Sequence, residues 1–159
     1  MKLVAAMAVK VDKFKVDEME KKFFSDSAMI GIICPHPAYH LSWLINNQMG
    51  MSFRCVPEMT LEYRSDDGTI SYFAVYQCLM QDDNYEVLLY KVKNDTTFLF
   101  PRWKKGNWLN NIDYLFLLKT ADPEKDAAEL SAKLSKLNGI SLSLTVDREQ
   151  IKHLENLLV

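Results

Sequence analysis

The most regular pattern of apolar and polar positions lies in the last third of the chain. Ile140, Leu142, Leu144 and Val146 alternate with Ser141, Ser143 and Thr145, the period of two expected of a strand that packs one face and shows the other to water. Upstream, Ala127, Leu130, Leu134 and Leu137 step by three, four and three residues, which predicts one apolar helix face. Asp122 stands at its N-cap position, Pro123 at the first helical position and Asn138-Gly139 at the C-cap, each a residue type suited to that place. Residues 112–118 are apolar except at Asp113 and predict a central strand. Asp147 and Gln150 have the spacing of a capping box, so a last helix is expected, with Ile151, Leu154, Leu157 and Leu158 inward. Together these form a β-α-β-α unit with an expected right-handed crossover.

The first two thirds read as shorter pieces. Val9, Val11, Phe14 and Val16 interleave with Lys10, Asp12, Lys13 and Lys15 and suggest a strand, followed over 16–24 by a helical turn or connector. Residues 29–34 are a compact apolar run, expected as a buried strand. Pro37, the spacing of Leu41, Leu44 and Ile45, and the stop at Gly50 predict a short helix over 37–49. Phe53, Cys55 and Val56 begin an extended segment. Residues 60–64 and 70–80 flank Ser65-Asp66-Asp67-Gly68, where Asp-Gly suits a hairpin turn. Gln81-Asp82-Asp83-Asn84 is a further polar turn, and 86–92 and 97–100 continue an antiparallel meander. The longest irregular stretch is 101–111, and no repeat or linker divides the chain. The expectation is one α+β domain over 1–159, a mostly antiparallel sheet with helices packed largely on one face.

Composition narrows the function classes. With 159 residues, 48% of them hydrophobic, the chain can bury a core. A net charge of −2 argues against a protein held on nucleic acid by its overall charge. Five glycines leave little for phosphate-cradling loops, and there is no Gly-rich phosphate motif, nucleophile elbow, CxxC pair or HExxH, so no cofactor is expected. Cys34, Cys55 and Cys78 are widely spaced in apolar or strand-like stretches, which suits small buried thiols in a reducing compartment. The apolar run over 3–9 is at the minimum for a leader, with Lys10 and Asp12 directly after it. No stretch approaches the ~18 apolar residues of a membrane span. A cytoplasmic protein without membrane association is expected.

Three groups of residues carry candidate chemistry. Cys34, His36 and His40 are close in sequence, but Pro35 and Pro37 place His36 ahead of the helix that holds His40, and no further ligand completes a set; no metal is expected. Asp113 interrupts an apolar strand, and a buried carboxylate needs backbone amides or a cation beside it. Alternatively, Asp113 orients His36 as an acid/base pair. Arg102, Trp103, Lys104, Lys105 and Trp108 interleave cations with flat rings, a composition that suits a protein partner, a phosphate or single-stranded bases; inward-facing tryptophans anchoring the loop are the competing expectation. Residues 91–106 carry five cations and one acid, a local +4, and 58–86 carry seven acids and one cation, a local −6. The leading expectation is a non-enzymatic interaction module that meets a protein partner or a second copy. A small enzyme using His36 and Asp113 is the alternative, and a nucleic-acid or phosphate binder using 102–108 comes third.

Leu99-Phe100-Pro101, then Ile112-Asp113-Tyr114 ahead of the apolar run over 115–119, resembles the signature of the IPExxxVDY family of small Bacteroidetes proteins. Gly31-Ile32, His36, Tyr39, Leu41 and Asn46, and Glu155-Asn156-Leu157-Leu158 at the other end, agree with it. Arg102 stands where the signature has glutamate, and about six extra residues separate the proline from Ile112, so no role for that glutamate carries over. The resemblance implies a bacterial, cytoplasmic setting and no particular reaction.

Overall fold

The computed structural model describes residues 18, 21–79, 85–95 and 97–158. The strand expected over 9–16 and the turn over 81–84 lie outside them, as does most of the connector before residue 21; residues 21–24 are helical. Strands β1 (Ser27–Ile33), β2 (Arg54–Cys55), β5 (Val75–Leu79), β6 (Glu86–Lys91), β7 (Tyr114–Lys119) and β8 (Leu142–Val146) form one sheet in the order β2-β5-β6-β7-β1-β8. Every neighbouring pair is antiparallel. Because β7 and β8 are each antiparallel to β1, they run parallel to one another with β1 between them. Helix α2 (Pro123–Leu134) makes the crossover that such a pair requires.

The apolar residues of β6 and β7 run without alternation because both faces of the sheet are covered. On one face, Ile30, Ile32, Phe116 and Leu89 meet Leu41 and Ile45 of helix α1 (Ala38–Met49) and Ala127 and Leu134 of α2. On the other, Met29, Leu115, Leu117 and Tyr90 meet the hairpin β3 (Leu61–Arg64) and β4 (Ile70–Phe73), the segment around Leu99 and Phe100, and the C-terminal residues Ile151, Leu154 and Leu157. The α+β class, with α1 and α2 on the same face, is the one the residue pattern predicts.

Several elements differ from their sequence pattern, each for a physical reason. The run over 70–80 is broken at Ala74, where the chain leaves the hairpin for the main sheet, so β4 and β5 belong to different sheets. Residues 97–100 form no strand; they fold back through a single bridge, Lys93 to Phe98, and bury Leu99 and Phe100. Helix α2 ends at Leu134, short of Asn138-Gly139, and Asp122 makes no side-chain cap. The capping box at Asp147 and Gln150 is present, but it opens a 3₁₀ turn, Arg148–Gln150, followed by a second, Leu154–Leu157, where an α-helix was expected. In β8 the polar Ser143 is buried, its hydroxyl 3.0 Å from that of Ser131 on α2, while Leu144 is 45% exposed. Small polar residues face the helix there, and the edge position leaves the opposite side of β8 partly open. Cys55, expected to be buried, is exposed in the short edge strand β2.

Candidate functional site

The strand β1 ends at Ile33, and the turn that leads into α1 is fastened from β7. The Cys34 N–H donates to Asp113 Oδ2 at 2.9 Å, and the Asp113 N–H donates to the Ile32 carbonyl at 2.8 Å. The Tyr114 hydroxyl donates to the His36 carbonyl. Burial pushes the Tyr114 phenol up, assisted by Cys34 and Asp113 beside it, which keeps the proton on this donor. Lys93 Nζ lies 4.0 Å from Asp113 Oδ1, a partly exposed pair. Asp113 is thus the structural acid of the sequence reading, bonded to a backbone amide with a lysine nearby.

His36 and Asp113 line the same solvent-facing cleft, of about 360 Å³, with Cys34, Lys91, Lys93 and Tyr114. No hydrogen bond joins the two among the described residues. The His36 ring is instead packed on the ring of His40, with centroids 4.5 Å apart, and against Gly139. A Cβ at Gly139 would stand 2.7 Å from His36 Nε2, and the backbone there has φ +105°, so glycine is required on both counts. Burial raises the Cys34 thiol, with the Asp113 charge adding to it, which disfavours the nucleophilic thiolate. The cleft therefore holds the two residues expected of an acid/base pair without the geometry that couples them. Among the described residues no group of three His, Cys, Asp or Glu side chains gathers to hold a metal ion.

The loop over 102–108 divides into anchored rings and exposed cations. Trp103 Nε1 donates to the Gln150 carbonyl at 2.6 Å, and its ring meets Phe98 and Phe100 edge-on or tilted. The side chain of Asn110 clamps the Trp103 backbone from both sides, accepting from its N–H at 2.8 Å and donating to its carbonyl at 3.2 Å. Trp108 rests on Gly31, where a Cβ would come within 2.8 Å of the indole. Both indoles are half-buried against the core, the anchoring arrangement of the two that the sequence left open. Lys104 and Lys105 are exposed, and Arg102 donates to the Asn110 carbonyl at 3.2 Å and stands over the Phe98 ring. The acidic and basic segments meet at the Ser71 to Thr97 hydroxyl bond, 3.1 Å, and so are neighbours.

A surface that the pattern reading passed over is the outer face of α1. This helix, AYHLSWLINNQM, contains no Asp, Glu, Lys or Arg. It buries Leu41, Ser42 and Ile45, and it leaves Tyr39 71% and Trp43 59% exposed, one turn apart. The His40 ring lies 5.9 Å from that of Trp43, so His36, His40 and Trp43 form a continuous aromatic row. Asn46 fixes the helix to the following segment: its Nδ2 donates to the Phe53 carbonyl at 3.0 Å and its Oδ1 accepts from the Phe53 N–H at 2.7 Å. The signal available in the sequence was the absence of any charge on a short surface helix.

Asp113 and Tyr114 hold the 34–36 turn, Asn46 holds residue 53, and Asn156 Nδ2 donates to the Leu99 carbonyl at 2.9 Å. No helix among the described residues is long and apolar enough to cross a membrane. Comparisons with protein-family models, with curated proteins and with solved structures each find no match for this chain.

Proposed function

We propose that this protein is a non-enzymatic interaction module whose contact surface is the outer face of α1, and that its partner is a protein offering an apolar groove to Tyr39 and Trp43. The observation that carries this reading is the pair of exposed aromatic rings on a helix with no charged residue. Exposed helix faces are ordinarily charged, whereas tyrosine and tryptophan are the side chains in which binding energy concentrates. Tyr72 is also 63% exposed, and Ile70 on the same strand face 39%, but their partners across the hairpin are the charged Glu62 and Arg64. The acid/base alternative has less support, since His36 is packed on His40 and Gly139 and Asp113 is occupied by the Cys34 amide. A nucleic-acid reading of 102–108 has exposed cations but anchored rings, and stacking needs the rings free. We place the chain with the IPExxxVDY-like proteins of Bacteroidetes and in the cytoplasm on the strength of the resemblance alone.

The test is capture of the tagged full chain from its own cells, comparing wild type with Tyr39→Ser/Trp43→Ser and with Asp113→Asn. A protein recovered by wild type and by Asp113→Asn, lost with the aromatic double variant, and shown to bind directly once purified, is the expected result. Equal recovery by the double variant overturns the assignment of the surface.

A further inference from the structure

His36 stands in the turn between β1 and α1, and contacts from three different elements hold it. Its carbonyl accepts from the Tyr114 hydroxyl on β7. Its ring lies on that of His40 on α1, and its Nε2 and Cδ2 atoms face Gly139, in the turn between α2 and β8. A Cβ at position 139 would stand 2.7 Å from Nε2 and 2.8 Å from Cδ2. The imidazole thus occupies space that glycine alone leaves free.

His40 carries this restraint onward. It meets His36, four residues before it, with centroids 4.5 Å apart, and Trp43, three residues after it, at 5.9 Å. Among the described residues no hydrogen bond holds either the His40 ring or the Trp43 indole. Trp103 is the contrast, since its own N–H is bonded to the Gln150 carbonyl and its ring meets Phe98 and Phe100. The row of rings from Gly139 through His36 and His40 is the support that the fold gives to the half-exposed Trp43 side chain.

We infer that Gly139 and His36 are positioning residues for Trp43: Gly139 seats the His36 ring, His36 fixes the rotamer of His40, and His40 restricts the indole that α1 presents. An exposed side chain free among rotamers must be ordered when it is bound, and a ring already held in one rotamer avoids most of that cost. Recognition sites keep their contact groups in place through such a supporting layer. Neither positioning residue needs to touch the partner. The inference rests on the reading of α1 as the contact surface and deepens it, because it makes binding there depend on a residue between α2 and β8 that lies outside α1. The fastening of the His36 carbonyl by Tyr114 is a backbone contact, so the ring can be removed without undoing it.

Side-chain NMR of the free full chain tests it, reading the χ1 rotamer of Trp43 and the ring-to-ring contacts of His36, His40 and Trp43. The expected result is one dominant Trp43 rotamer in the wild type and rotamer averaging in His36→Ala, with the melting midpoint little changed and the Trp103 and Trp108 signals unmoved. Gly139→Ala displaces the ring and gives the same averaging, but it also strains a backbone with φ +105°. The double variant therefore decides between positioning and general destabilisation: it matches His36→Ala in Trp43 averaging, since no ring is left to displace. The partner captured through α1, once purified, binds His36→Ala about two- to tenfold more weakly than wild type. A Trp43 rotamer that His36→Ala leaves unchanged, averaging in the double variant that exceeds that of His36→Ala, or equal affinity of wild type and His36→Ala overturns the proposal. The rotamer is read without any partner, so its failure is distinct from failure of α1 as the contact surface, which the capture experiment reads.

Discussion

Asp113 shows how one residue joins two elements that are far apart in sequence. Its carboxylate oxygen takes the Cys34 N–H at the end of β1, where the ladder to β7 has just ended and that donor has no backbone partner in the sheet. A part-buried amide left without an acceptor costs about 1 to 3 kcal/mol. Because the Asp113 side chain is 27% exposed, water replaces part of what is lost, and we predict that Asp113→Ala destabilises by about 1 to 2 kcal/mol. Asp113→Asn, which keeps an acceptor oxygen, costs less than half of that. Denaturant midpoints of the two variants check this; equal stability of wild type and Asp113→Ala would contradict the fastening role. The need for a partner was legible from the apolar run around Asp113. That its partner is the Cys34 amide was not, because nothing in the spacing joins residues 79 positions apart.

At the scale of elements, periodicity identified what packing enforces and missed what edges and junctions decide. Helix α2 and strands β1, β6 and β7 follow their apolar patterns because both faces of the sheet are covered. The break at Ala74 and the 3₁₀ turns after β8 depend on which surface each segment must cover, which spacing does not encode. The start of α2 is a further case. Asp122 has the right residue type for a cap, yet the carboxylate that ties this helix down is Asp126, whose Oδ2 accepts from the Thr120 hydroxyl at 2.7 Å. Tyr85, whose phenol is pushed up to about 12, chiefly by its hydrogen bond to Asp126, ties the helix to the segment before β6. These hydroxyls, Tyr85 first, lower the Asp126 carboxyl below its ordinary value. A carboxyl lowered in the fold contributes stability that is present above its unfolded pKa of about 3.9 and is lost as pH falls through the folded value. Asp126→Asn should therefore melt below wild type at neutral pH, with the gap closing in acid. Thermal midpoints measured across that range check it, and a gap independent of pH would contradict it.

For the whole molecule, both faces of the sheet carry packed layers, and the most exposed large apolar side chain among the described residues is Tyr39, on α1's aromatic face. The core was readable because burial is what hydrophobic periodicity records. The candidate surface was not, since Tyr39 and Trp43 look like core residues until the fold shows which faces remain uncovered. The 102–108 loop is the converse: its tryptophans stand out in the sequence and rest half-buried on Gly31, Phe98 and Phe100. The central claim, that the protein works by presenting α1 to a partner, is tested most directly by hydroxyl-radical footprinting of the full chain, isolated under native conditions with its partner bound and again after the partner is removed. The account predicts that oxidation of Tyr39 and Trp43 falls several-fold in the bound state while Trp103 and Trp108 are unchanged. Equal oxidation of Tyr39 and Trp43 in both states would contradict it.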